Sequence, residues 1–577
     1  MRESVKGVPP APKEGPAPRQ RPGRAPDGHR LSWMAGIAAL AAGLVTWLLG
    51  AGFASLWLIA IAAVAFALAL PMPYALVSPL FMGIAGWLVD MLPFVILAGW
   101  TAVVLRWMWG LYRERRLPRG GRWVVLPIFL IGWTSFGVFF VPSGDFKHFL
   151  LLFGVQFIAS GVLLAIVDTA GSLEDRLKIV SSAVTFVLVL SVGVLMQFVG
   201  VPIQELQDRE ISVLVEDAYG LDAFPNNLGM IKYGLSSKAG ARELRNGVTQ
   251  WVEDNPEVPG ATVFLPRFRT FENHLVIRFD GSARPFAADL DQRFDAELIY
   301  DNVALSPANT VPRMRSFARN TLTYAGTSVV LLPLAFFLAW RGTGRRRWIG
   351  RLGVAACLFG AGFSLVRGAW IAILIGIVYL LVDGLVSWRH KSHVVIAYLL
   401  AALMLTGFYL VRYDVHPLGA RALGSGSVST RASVYQDTVE SLSGAHLLFG
   451  FGTERARTET GESHIANRYV PKAGTHSTYL NFLFRTGVPG ALGILALYLL
   501  AGLHARATSR ARTGDERIFA VMLTASVVAA GAHGVILNYF TEPIYTMTVS
   551  FVLALSMAGA IGLGTSVIPW RTRRADQ

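Results

Sequence analysis

The chain has 577 residues, 53% hydrophobic and only 15% charged, with a formal net charge of +15. Soluble domains carry about 25% charged residues, so this composition excludes an ordinary soluble enzyme and describes an all-α polytopic membrane protein. The positive excess clusters in short connections between apolar runs, the cytoplasmic-loop pattern of an inner-membrane protein, which argues against nucleic acid as a partner. The single cysteine, Cys357, lies inside an apolar run and excludes an intrachain disulfide or a cysteine-built metal centre.

Residues 1–30 are rich in Pro, Gly and Arg and bury too little apolar surface to offset ordering entropy, which predicts a disordered cytoplasmic tail. The apolar run behind them is too long for a signal-peptide core and lacks an evident cleavage site, so it reads as a retained span. A span takes about 20 apolar residues. That spacing predicts helices at 31–49, 53–71, 74–89, 92–111, 123–141, 147–167 and 178–200. Seven more follow at 321–340, 350–366, 369–387, 394–411, 477–502, 518–538 and 544–566. The pair 74–89 and 92–111 admits a second reading, a re-entrant or kinked segment marked by Asp90 and Pro93.

Arginine and lysine set the orientation. They crowd the connections around 106–122, 341–351, 389–391 and 506–517 and follow the last helix at 571–574. The connections 142–146 and 539–543 have none, with Lys147 a mild exception at the border of the first. About fourteen spans with both termini cytoplasmic satisfy this alternation. An N-terminal bundle (31–200), an insertion (201–319), a C-terminal bundle (320–566) and a short tail (567–577) result.

Two long intervals then fall outside the cytoplasm, in the periplasm where the cell has one. In 201–319, Leu244, Val248, Trp251 and Val252 recur at helical spacing, while ATVFLP and HLVIRFDG read as strands, which predicts a small α/β insertion. The second interval, 412–476, is polar and Gly/Ser-rich, with an amphipathic helix expected around 431–443.

Three residues stand out for chemistry. Arg367, in SLVRGAWIAI, opens a turn between two apolar runs. An arginine near hydrocarbon costs roughly 2.5–3.5 kcal/mol at a helix centre on insertion scales, so it either snorkels to the interface or serves an anion. Arg431 stands at the start of the expected helix, where the macrodipole gives a cation no stabilisation. It is either a solvated residue or half of an anion site. His476 precedes a membrane helix, as an interfacial anchor or as a general base. Asp289 and Asp291 have the DxD form of some metal sites, a pattern common by chance. Gly450 and Gly452 in LLFGFG read as a turn, since GxG alone is a weak phosphate signal.

Taken in order, SLVRGAWIAI, STRASVYQDTVESLSGAHLLFGFG and HSTYLNFLFRTGVPG resemble the three motifs of the O-antigen ligase and repeat-unit polymerase superfamily. A looser match, RMRSFARNTLTYAGTSVVLLPL, precedes them, and the resemblance covers about 313–503. Ser477 departs from it, standing where the family usually has Asn, and the 201–319 insertion is larger than the family's pattern. The resemblance implies a GT-C-like membrane glycosyltransferase with no cofactor or metal, acting by inversion on the periplasmic face of the inner membrane. Its donor would be a glycan on undecaprenyl pyrophosphate and its acceptor another glycan, lipid A core or a protein side chain. Membrane lipid and a chain-length regulator or other assembly protein are the implied partners. Carried over by motif, Arg367 and Arg431 hold the pyrophosphate and His476 deprotonates the acceptor. A lipid-linked oligosaccharide flippase is the competing class, but transporters place ionisable groups near the midplane and show internal repeats. Here the special residues gather at one face.

The topology is directly testable. Cysteines introduced at Ser237 and Ser463 are expected to react with a membrane-impermeant maleimide in outer-membrane-permeabilised cells. Protection of both, with labelling at Gly344, would invert the orientation.

Overall fold

The structure is a computed structural model that describes residues 27–48, 52–88, 92–119, 124–141, 146–198, 321–364, 366–382, 388–413, 442–452, 477–536 and 542–561. It also describes the strand residues given below and single residues around 247–254, 317 and 435–440. The first half contributes α1 (Asp27–Leu48), α2 (Gly52–Ala69), α3 (Met72–Ala75), α4 (Ser78–Leu88), α5 (Leu92–Glu114), α6 (Val125–Ser135), α7 (Phe146–Thr169) and α8 (Leu173–Phe198). A tighter 3-10 turn, Phe136–Phe140, extends α6. The second half contributes α9 (Thr321–Arg341), α10 (Gly344–Phe363), α11 (Arg367–Val382), α12 (Trp388–Tyr413), the short α13 (Ala445–Phe449), α14 (Thr478–Ala511), α15 (Gly514–Ile536) and α16 (Pro543–Ala560).

Among the described residues, seven helices are long and apolar enough to cross a membrane: α5, α7, α8, α9, α14, α15 and α16. The other apolar helices contribute shorter described stretches, such as Leu31–Thr46 in α1 and Val395–Met404 in α12. Two boundaries differ from the sequence reading. The expected helix 74–89 is two pieces, because Pro79 has no N–H for the Ala75 carbonyl and the Ser78 hydroxyl donates to it instead, at 3.1 Å. Helix α10 ends at Phe363 and α11 begins at Arg367, so Arg367 is the first residue of a helix rather than part of the turn before it.

One apolar core runs through both halves. Trp100, Val184, Phe186, Phe337, Ala372, Leu523 and Val552 belong to it, and a satellite cluster ties α2, α4 and α5. In the 201–319 interval the described backbone forms a four-stranded antiparallel sheet in the order β2-β3-β1-β4. Its strands are β1 (Leu228–Leu235), β2 (Thr262–Phe264), β3 (Asn273–Asp280) and β4 (Glu297–Asn302), so β2 and β3 fall on the ATVFLP and HLVIRFDG segments. Residues 250, 251, 253 and 254 are helical, and Trp251 is buried.

The basic connections around 106–122, 341–351 and 506–517 share one end of the bundle, where acidic partners knit them. Arg346 at the start of α10 forms a two-point pair with Glu174 at the start of α8, at 2.8 and 2.5 Å. Arg341 at the end of α9 pairs with Asp515. Arg176, buried in α8, donates to Glu516 at 3.2 Å. Asp168 is the most enclosed anion of this network: it accepts from both terminal nitrogens of Arg116 (2.7 and 2.9 Å), from Trp107 Nε1 (2.9 Å) and from the backbone N–H of Arg119 (2.7 Å). The hydrogen bonds to Asp168 and to the neighbouring Glu114 hold the Arg116 guanidinium above its usual range.

A carboxylate with four donors is replaced badly by an amide, which brings two donors of its own to a site that offers only donors. Asp168→Asn is therefore expected to destabilise the protein by roughly 1–3 kcal/mol. A thermal-unfolding scan in detergent checks this; an unchanged midpoint would show that the buried pair carries no stability.

Candidate functional site

At the end of the bundle opposite the basic connections, the link from α10 to α11 is pinned on one carbonyl. The Ala361 oxygen, left without an intrahelical donor where α10 stops, accepts from the Ser364 hydroxyl at 3.0 Å and from Trp370 Nε1 at 2.9 Å. Trp370 lies one turn into α11 and reaches back across the link, so the half-buried Arg367 is fixed at the positive end of its helix. Further along α11, Gly376 packs against Ala525 and Ala529 of α15. Nine helical residues rise about 13 Å, which brings Arg367 level with the last turn of α15.

Helix α14 is not one straight span. Nineteen residues of straight helix would hold Tyr479 and Tyr498 about 28 Å apart, yet their rings lie 6.0 Å apart and both stand beside Gly531 of α15. The chain reverses at Gly487, where φ is +67° and ψ −172°. A nine-residue first arm (478–486) therefore folds back along the spanning arm (488–511). This corrects the expectation of a single helix over 477–502.

Such a reversal leaves carbonyls without donors, and two distant segments supply them. Arg485 would normally receive the N–H of residue 489, but that residue is Pro489. Instead the N–H of Gly452 donates to the Arg485 carbonyl at 3.0 Å, and that of Phe451 to Phe484 at 2.8 Å. Trp133 Nε1 of α6 donates to Thr486 at 3.0 Å and to Leu448 at 3.2 Å. The LLFGFG turn is thus the plug of the break. Gly450 (φ +69°) presses on the Arg485–Thr486 peptide, and a methyl group there would overlap it. Stacked rings extend the contact: Trp133 on Phe449 at 5.3 Å, and His446 on Phe451 at 4.1 Å.

Buried polar side chains gather at this end of the bundle, on the first arm and on α9, α15 and α16. They include Ser477, Thr478 and Asn481 of the first arm, Thr323 and Thr327 of α9, His533 of α15, and Tyr545 and Thr546 of α16. Tyr479 donates to the Gly531 carbonyl at 3.1 Å, and His533 Nδ1 lies 3.3 Å from the Tyr545 hydroxyl. Gly326 of α9 allows the approach, since a side chain there would strike the Tyr545 ring. Polar groups buried at membrane depth are costly and commonly line a substrate path.

Of the residues singled out by sequence, Arg367 is placed at this end, level with Ser477 on α15's last turn. Arg431, His476, Asp289 and Asp291 lie outside the described residues; in the chain, His476 directly precedes Ser477, the N-cap of α14. The expected helix near 431–443 is described only at Tyr435, Gln436, Val439 and Glu440, which are helical. Sequence reasoning missed Arg485, only 2% exposed, together with Tyr479, His533 and Tyr545. The signal for the reversal was present: Gly487, Pro489 and Gly490 interrupt an apolar run.

Residues 352–495 match the family model described as O-antigen ligase. The matched segment starts in α10 and ends just past the reversal of α14, so it encloses Arg367, the LLFGFG plug and the break that it fills. The match covers about a quarter of the chain and supports the O-antigen ligase and polymerase superfamily. No curated protein matches the chain closely enough to serve as a relative.

The reversal should be intolerant of a side chain. Gly487→Ala places a methyl against the Leu448 carbonyl in a positive-φ conformation essentially confined to glycine, which alone costs about 1–3 kcal/mol. It is expected to lower the unfolding midpoint clearly, whereas Gly132→Ala on an open face of α6 should not. Equal midpoints for both variants would contradict the reversal.

Proposed function

Starting from a superfamily domain at residues 352–495, we propose that this protein is a metal-independent, inverting glycosyltransferase of the inner membrane that polymerises lipid-linked polysaccharide repeat units. The observation that carries the reading is that Arg367, the LLFGFG plug and the reversal of α14, all within the matched segment, lie at the end of the bundle opposite the paired arginines. By the positive-inside rule that end faces the periplasm, where glycans on undecaprenyl pyrophosphate are presented. In this reading about fourteen helices cross the membrane and the 201–319 insertion is extracytoplasmic.

The donor lies with its pyrophosphate between Arg367 and Arg431. Each guanidinium is a planar fork matched to phosphate oxygens and always charged, and the N-terminus of α11 adds its own positive end. His476, as neutral imidazole, takes the proton of the acceptor hydroxyl. The hydroxyl oxygen attacks the anomeric carbon from the face opposite the phosphate, the carbon–oxygen bond to phosphate breaks, and undecaprenyl pyrophosphate leaves with the electron pair. Negative charge grows on the leaving group as the bond breaks, and the two arginines stabilise it there. The long intervals 201–319 and 412–476 leave room for a growing chain, which favours polymerisation. A ligase running the same chemistry would pass the glycan to lipid A core or a protein side chain.

Kinetics of variants separate the roles. Removing a contact to a developing anion costs on the order of 2–4 kcal/mol, or roughly 30- to 1000-fold in rate. Arg367→Ala and Arg431→Ala should show that loss, and Lys should restore little of it. His476→Ala should keep donor affinity and lose about 100- to 10,000-fold in turnover. Turnover by His476→Ala at the wild-type rate would remove the general base.

A further inference from the structure

We infer that Tyr479, assisted by Ser477, is a positioning residue that holds His476 against the acceptor by latching the first turn of α14 onto the last turns of α15. The inference rests on the reading of His476 as general base. The first arm of α14 has nine residues, and a helix frays first at its terminal turns. Ser477 caps the N-terminal turn: its carbonyl accepts from Asn481 at 2.8 Å, and its hydroxyl lies 3.5 Å from both the Leu480 N–H and the Gly534 carbonyl. Helix α15 stops at Ile536, so the Gly534 carbonyl is one of its four C-terminal acceptors without an intrahelical donor.

Tyr479 makes the shorter bond, 3.1 Å to Gly531 one turn earlier on α15. The receiving turn is itself held. His533, between the two acceptors, is fully buried and meets the Tyr545 hydroxyl of α16 at 3.3 Å. Thr478, 1% exposed, packs beside Gly534. Two donors one residue apart on either side of Thr478 thus bind two carbonyls one turn apart on α15, which fixes the arm's rotation as well as its position. The residue joined to that turn is His476. A general base must sit within about 2.6–3.2 Å of the proton it takes, and a misplacement of about 1 Å costs on the order of 100-fold. The latch is therefore tied to turnover rather than to donor binding.

Tyr479→Phe keeps the ring on Tyr498 and deletes only the hydroxyl. In the full-length protein with an undecaprenyl-pyrophosphate glycan it is expected to lower kcat roughly 10- to 100-fold and leave the donor KM within about twofold. The decisive readout is a double-mutant cycle, because residues that act through one another are not additive. In a His476→Ala background Tyr479→Phe should cause no further loss. An equal loss in both backgrounds, or none in the wild-type background, would overturn the inference. Should Tyr479→Phe fail to fold, Ser477→Ala carries the same cycle. If His476→Ala alone proves as active as wild type, the general-base reading fails first, and that result is separate from either outcome of the cycle.

Discussion

The reversal of α14 at Gly487 is the constraint on which the outer end of this protein depends. A helix that turns back inside a membrane exposes carbonyls in a medium without water, where each unpaired group costs several kcal/mol. Pro489 makes the loss permanent at Arg485, since no N–H is available four residues on. The chain answers with the N–H groups of Phe451 and Gly452 and the indole of Trp133. These three donors come from segments more than thirty and more than three hundred residues away in sequence. One break therefore joins α6, the second long interval and α14. Gly452 and Ser477 both bind the first arm of α14, Gly452 at its C-terminal end and Ser477 as its N-cap.

The two ends of the bundle use charge in opposite ways. At the basic end four arginines meet carboxylates: Arg116 with Asp168, Arg346 with Glu174, Arg341 with Asp515 and Arg176 with Glu516. That end is braced. At the other end the buried polar groups are mostly hydroxyls, amides and imidazole, such as Thr323, Thr327, Asn481, His533 and Tyr545, with Arg367 and Arg485 as cations. One carboxylate, Glu542, stands at the same end as the N-cap of α16. A site for a pyrophosphate needs positive charge and donors, and the polar inventory around the first arm of α14 offers both.

Much of the fold was legible because hydrocarbon permits few solutions. Runs of apolar residues had to be helices, and the arginine-rich connections had to share an end; both follow from local sequence. The sheet residues of β2 and β3 were legible from their β-branched runs, whereas β1, LGMIKYGL, carries two glycines and β4 is half polar, so neither advertises itself. The reversal at Gly487 was hidden for another reason. Hydropathy averages over about 20 residues and cannot distinguish a 24-residue span with a folded-back arm from one long helix. Arg367 drew notice because a charge near apolar runs is conspicuous. Tyr479 and His533 were not, because their roles lie in contacts to α15 and α16 that no linear spacing encodes. The GxG of LLFGFG was read as a turn, and a turn it is; what it plugs was visible only in three dimensions.

The central claim is that this end of the membrane bundle transfers glycan from a lipid pyrophosphate without metal. It is tested most directly by incubating the purified protein in detergent with a defined undecaprenyl-pyrophosphate-linked repeat unit and excess EDTA. Product length and released undecaprenyl pyrophosphate would both be followed. The account predicts a ladder of lengthened glycans, each new linkage inverted at its anomeric carbon, with one undecaprenyl pyrophosphate released per bond formed. Retention at the anomeric carbon, or activity that appears only on adding magnesium or manganese, would contradict it.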